Sequence, residues 1–195
     1  MRTIPFPLSV NIGTDIVYIP RIQRLITRPS RSNCDTWSSL ADRFVRRIMN
    51  DQETQLFYSK FGYADGQLPS RLTTVPPQSL GSADSHHVHE MARWIAGRFA
   101  AKEAARKAAP GGAASVSWKD VMVQTEGTNG GAASERPQVI YLKEGGRVGE
   151  VGKLSISHDG SYVVATVLAA VSASAPTQFL SDPPAGASTS KSSGG

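Results

Sequence analysis

Acids, bases and cations gather in three short stretches of this chain. The densest is GRFAAKEAARKAAPGG, residues 97–112, where one carboxylate, Glu103, stands among Arg98, Lys102, Arg106 and Lys107 in an alanine-rich run. At helical spacing Glu103 and Lys107 share a stripe with Phe99, and Arg98, Lys102 and Arg106 form the neighbouring one. Taken alone, this is a solvated helix with an i,i+4 ion pair worth about 0.3–0.5 kcal/mol. The alternative is a helix that offers a carboxylate to a metal and cations to an anionic substrate.

Asp15 is more pointed. It lies inside NIGTDIV, flanked by isoleucine and valine. Aspartate is depleted in strands, and a half-buried charge needs a cation or a metal. In the third stretch, SISH, a regular strand puts Ser155 and Ser157 on one face, opposite Ile156 and His158. His158 then reaches a hairpin end, free either to meet a phosphate or to be an ordinary turn residue. His86, His87 and His89 lack a cysteine partner and a fixed ligand spacing, so solvated residues are favoured over zinc ligands. The single cysteine, Cys34, has no catalytic setting. No phosphate-binding glycine loop of the nucleotide-hydrolase or dinucleotide type is present.

These residues need elements to hold them. Residues 10–17 read as a buried strand that alternates, with Val10, Ile12 and Ile16 on one face and Gly13 and Asp15 on the other. PRIQRLI begins a helix at Pro20. A second helix is expected over 37–49, with Leu40, Phe44 and Ile48 at four-residue spacing, and a third follows Asp51 as its start signal. Residues 61–85 carry prolines and no sustained period and read as a surface insertion. A long helix over 85–109 ends at PGG. SWKDVMVQ and RPQVIYL read as strands, and KLSISHDGSYVVATVLAAV as a hairpin turning at Asp159–Gly160. From residue 172 the chain is Ser, Ala, Pro, Gly and Thr, which cannot bury enough apolar surface to order itself. The expectation is an α+β domain over 1–171 with mainly antiparallel strands against a long helix, and a disordered tail over 172–195.

The chain has 195 residues, enough for one real core, and a formal net charge of +5. That balance favours anionic partners: nucleic acid, a phosphate-bearing cofactor, or an acidic protein. The helices lack the aromatic interleaving of a single-strand nucleic-acid binder. No apolar run is long enough for a membrane span, so no membrane partner is expected. The N-terminus lacks a secretory core, and Pro5 and Pro7 oppose an amphipathic presequence. The compartment, mitochondrial or cytoplasmic, is left open.

Three segments in order then carry a resemblance: IGTDIVYIPRI, GRFAAKEAARKA and LSISHDGSYVVATV. Together they resemble the holo-acyl-carrier-protein synthase family, the small single-domain 4′-phosphopantetheinyl transferases. That family has an (I/V)G-x-D strand, an R-F-x-x-K-E-x-x-x-K helix and an S-I-S/T-H hairpin. RFVRRIMNDQETQLF is similar to its R-(I/V)-L-(T/S)-x-x-E stretch. The chain departs from the family in its long insertion, its tail, and ERP in place of G-(K/R)-P, with Glu135 where glycine stands. These additions resemble a eukaryotic, fungal-type member.

The resemblance implies a family fold and a magnesium-dependent transfer of phosphopantetheine from coenzyme A to a serine of an apo acyl carrier protein, releasing 3′,5′-ADP. It makes Asp15 and Glu103 the magnesium ligands. Asp15, Glu103 and Lys107 become the catalytic group, with Asp15 or Glu103 as base through water. It gives Arg98, Lys102, Ser157 and His158 to coenzyme A, and Arg21, Arg24 and Arg28 to docking of the acidic carrier. It further implies a homotrimer with shared sites, Arg98 and Glu103 acting with Asp15 of a neighbour. The competing reading is a basic phosphate- or nucleic-acid-binding module without catalysis, for which Glu103 is dispensable.

Overall fold

The computed structural model describes residues 8–27, 37–62, 82–125 and 136–170. Most of the expected insertion, the whole tail, Arg28 and Cys34 lie outside them. Strand β1 (Val10–Tyr18) runs directly into helix α1 (Ile19–Thr27). Pro20 suits this first turn because its ring presets a helical φ and its missing N–H has no helical partner there. Ile19, Ile22 and Ile26 are buried at helical spacing, which leaves Arg21 and Arg24 exposed.

Helix α2 (Trp37–Ile48) buries Ala41, Val45 and Ile48; Leu40 and Phe44, expected inside, are only partly covered. Helix α3 (Asp51–Phe61) starts one residue earlier than the Asp51 signal implied, with Asn50 as its cap. The Asn50 Oδ1 accepts from the Glu53 N–H at 2.9 Å, and the Glu53 Oε2 accepts from the Asn50 N–H at 3.2 Å. This is a reciprocal capping box. Helix α4 (Ser82–Ala108) begins slightly before residue 85.

Strands β2 (Val121–Thr125), β3 (Pro137–Lys143), β4 (Val148–Asp159) and β5 (Tyr162–Ala170) follow, with a 3-10 turn at Glu144–Gly146. The sheet order is β1-β5-β4-β3-β2, antiparallel throughout. Asp159 pairs with Tyr162, so the hairpin turn is Gly160–Ser161, one residue beyond the expected pair. Gly160 has φ 52°, a value glycine adopts without Cβ strain. β4 begins well before KLSISH. Glycines at 149 and 152 hide it from a propensity reading, yet a Cβ at Gly152 would stand 2.7 Å from Val139 Cγ2.

The inner sheet face carries Gly13, Asp15, Val17, Val163, Ala165 and Val167 toward α4. The alanine side of α4 (Ala100, Ala101, Ala104, Ala105, Ala108) is fully buried. Contact is closest at Gly13, where a Cβ would lie 2.0 Å from the Ala104 carbonyl oxygen and 2.7 Å from the Ala108 nitrogen. Backbone therefore meets backbone. α1 packs on α4 and α2 on α1, and Phe57 and Phe61 pack on Trp94 at 5.5 and 5.8 Å. The outer face is the surprise. Ile12 (69%), Ile16 (62%), Tyr162 (48%) and Leu168 (43%) stand exposed, although alternation in β1 suggested that the isoleucines face a core.

Candidate active site

The contact at Gly13 brings a strand acid and a helix cation together. Lys107 Nζ lies 2.8 Å from Asp15 Oδ1 and donates to the Thr14 carbonyl at 2.9 Å. Glu103, one turn earlier on α4, is held by Arg106 Nη1 at 2.8 Å through Oε1. The expected Glu103–Lys107 pair is thus replaced by two others, because β1 supplies Lys107 with a better-placed acid. Asp15 and Lys107 meet within one chain, so Asp15 needs no neighbour to reach this end of the helix.

Both carboxylates are mostly covered, at 17% and 19% side-chain exposure. Among the described residues, hydrogen bonds engage only one oxygen of each. The donor set is hard and anionic with two free oxygens, which fits magnesium. No group of three His, Cys, Asp or Glu among the described residues can hold a metal. The histidines of the first turns of α4 belong to no such group.

Arg98 and His158 meet elsewhere, in a pocket of about 230 Å³ lined also by Lys60, Glu90, Arg93, Trp94 and Ile156. The Arg98 guanidinium stacks on Trp94 at 3.6 Å from the ring centroid. Its Nε is buried with no hydrogen-bond partner. Burial pushes its pKa down to about 10, against the pull of Glu53. Burial, then the charge of Arg93, lowers His158 below the usual imidazole value. A desolvated arginine with an unanswered N–H, beside further cations, suits a multiply charged anion. Lys60, Arg93 and Trp94 escaped the sequence reading because α3 and the start of α4 looked like packing elements. None of Asp15, Glu103 and Lys107 lines this pocket.

Two expected ligand residues are placed differently. Lys102 is fully buried and paired with Glu53 at 2.6 Å. It also donates to the carbonyls of Trp118, at 2.9 Å, and Val121. Glu53 in turn accepts from the Val123 N–H at 3.0 Å. Burial lowers the Lys102 pKa, with Glu53 opposing that shift. Lys102 is thus a pin between α3, α4 and β2, with no donor left for coenzyme A. Breaking such a pair from one side costs about 3–5 kcal/mol. Ser157 pairs with Val164 on the outer sheet face, opposite His158, so it too stays out of the pocket. Arg21 and Arg24 are exposed on α1 as expected; Arg28 lies outside the described residues.

Comparison with known proteins points to one family. A family profile described as the 4′-phosphopantetheinyl transferase superfamily matches residues 11–167. The chain is 49% identical over 179 residues to 4′-phosphopantetheinyl transferase B, mitochondrial, of Aspergillus fumigatus, covering 87% of this chain and 99% of that one. It is 29% identical over 157 residues to a holo-[acyl-carrier-protein] synthase of Oceanobacillus iheyensis, covering 80% and 92%. A Plasmodium yoelii acyl carrier protein synthase solved with ADP bound shares the fold, with a TM-score of 0.52 at 20% identity over 82% and 93% of the two chains. No described helix is long and apolar enough to cross a membrane. The length of the profile match and the half-identity to a fungal relative leave one conclusion: the chain belongs to the 4′-phosphopantetheinyl transferase superfamily.

Proposed function

We propose that this protein transfers 4′-phosphopantetheine from coenzyme A to a serine hydroxyl of an acidic apo carrier protein, with magnesium held by Asp15 and Glu103. The observation that carries the reading is the Asp15–Lys107 bridge, with Glu103 one turn away on the same helix. Bound there, magnesium would supply charge neutralisation along the pyrophosphate.

The chain's own residues do the rest. The serine Oγ forms a bond to the β-phosphorus, and the bond from that phosphorus to the bridging oxygen breaks. 3′,5′-ADP leaves with that oxygen. Lys107, oriented by Asp15 and the Thr14 carbonyl, offers its charge to the leaving phosphate. The serine proton passes to Asp15 or Glu103 through water. Arg98 and His158 hold the nucleotide phosphates, and Arg21 and Arg24 dock the acidic carrier. Such chemistry depends on alignment and electrostatics more than on covalent help.

A homotrimer with shared sites belongs to this reading. Arg98 and Lys107 are nine residues apart on one helix. At 3.6 residues per turn they point to opposite sides, about 13 Å apart along the axis. One molecule of coenzyme A is better served by Arg98 and His158 of one subunit and Asp15, Glu103 and Lys107 of the next. The exposed apolar sheet face offers surface for that assembly. We assign a mitochondrial site of action on the Aspergillus relative's name; finding the protein confined to cytosolic fractions would overturn it.

The test is direct. The protein is mixed with coenzyme A, magnesium and an apo carrier, and the carrier is weighed by mass spectrometry. Addition of one phosphopantetheine group is expected. No addition, where a known transferase modifies the same carrier, would sink the reading. E103Q should lose at least about a hundredfold in rate, as expected when several kcal/mol of charge stabilisation go. Its melting temperature should stay near wild type. Full activity in E103Q would refute the metal role.

A further inference from the structure

Arg106 interrupts the expected pattern, because its guanidinium is engaged on every side. Nη1 donates to Glu103 Oε1 at 2.8 Å, Nη2 to the Ala113 carbonyl at 2.7 Å, and Nε to the Val116 carbonyl at 2.8 Å. Its carbon centre lies 4.8 Å from the Trp118 ring centroid. Trp118 is itself packed on Phe99 at 4.8 Å. The side chain is 18% exposed. An exposed i,i+3 pair contributes little, since two mobile side chains must be ordered to make it. Here the loop carbonyls and the indole already order the arginine, so Glu103 meets a stationary donor. These acceptors are met by three different nitrogens of one rigid planar fork; a lysine ammonium, a compact point charge, does not reproduce that spread.

We propose that Arg106 is a positioning residue: it fixes the Glu103 carboxylate by Oε1, presents Oε2 toward the cation site, and thereby sets metal affinity. The inference rests on the transferase reading above. Arg106 differs in task from its neighbour Lys107, which faces β1 and is claimed by Asp15. Groups that orient metal ligands in this way are worth about 10- to 100-fold in affinity. The opposing effect is electrostatic, since a guanidinium beside a carboxylate also competes with a metal ion. The two effects have opposite signs, which makes the outcome decisive.

Manganese serves as the probe. It is titrated into the full-length protein with coenzyme A present and no carrier, and free manganese is read by electron paramagnetic resonance. R106K and R106M should both bind manganese about tenfold more weakly than wild type. R106K should be no better than R106M, because the fork and not the charge is lost. Affinity for 3′,5′-ADP in metal-free buffer should be unchanged in both, which also reports a folded protein, since Arg106 does not line the Arg98 pocket. If R106M does not fold, R106K alone decides. Unchanged manganese affinity in R106K, or tighter binding in R106M with R106K like wild type, would overturn the inference. Failure of the underlying reading looks different: wild type itself then neither holds manganese nor modifies a carrier, and the inference falls with it.

Discussion

His158 shares its pocket with three cations, Lys60, Arg93 and Arg98, and with the carboxylate of Glu90. Burial and Arg93 hold its pKa below the ordinary value, so the imidazole is neutral in the free protein near pH 7. For the empty fold, this means stability is lost as pH falls from the ordinary histidine value through the lowered one. A phosphate entering the pocket reverses the balance, because its charge favours the imidazolium. Binding then takes up a proton, and affinity falls as pH rises. Between pH 7 and 8.5 a phosphate is already dianionic, so the trend belongs to the protein. Calorimetric affinity for 3′,5′-ADP should fall severalfold across that window in wild type and stay flat in H158Q. A flat wild-type profile would remove His158 from the phosphate site. At this scale type and spacing brought out Asp15, Glu103, Lys107, Arg98 and His158, which the fold gathers at two places, the first three where β1 meets α4 and the last two in one pocket. The sequence misjudged Lys102 because the fate of that ammonium depends on Glu53, which reaches it only through the Asn50 cap and the packing of α3.

Among the elements, α4 and β1 decide the geometry. Their contact has no side-chain layer at Gly13, so the Asp15–Lys107 distance is set by how closely two backbones approach. A methyl group there would overlap the Ala104 carbonyl and must push the helix off the strand. G13A should therefore cost about 1–3 kcal/mol, a fall in melting temperature of roughly 2–12 °C for a domain of this size. It should also lower the rate of transfer far more than it weakens 3′,5′-ADP, because the Arg98 pocket is remote from the overlap. Equal losses in rate and nucleotide affinity would mean that the close approach serves only stability. The alanine run made a slim helix legible, and the motif around Asp15 pointed to the strand it covers. The glycines in β4 concealed half of that strand, since a residue without β preference is chosen there for what its partner Val139 needs. The exposed isoleucines of β1 misled for the complementary reason: alternation reports two faces but does not say which one the helix takes.

At the scale of the whole molecule, the two groups of residues proposed to serve one coenzyme A lie on different sides and at different levels of α4. Arg98 stands half a turn out of phase with Lys107, and Gly97, Arg98 and His158 line a pocket that Asp15, Glu103 and Lys107 do not enter. In a closed ring each interface would join one half from each of two subunits. The outer sheet face, with Ile16 and Tyr162 exposed, is the apolar surface available to make such a ring. R98A and E103Q should each be inactive alone, for different reasons. Co-expressed, they should form mixed rings in which one interface of three carries an intact Arg98 opposite an intact Glu103. Random mixing then restores roughly a quarter of wild-type activity per subunit, with a trimer mass by light scattering. If the protein works as a monomer, or if each chain completes its own site, the mixture stays as inactive as its parts.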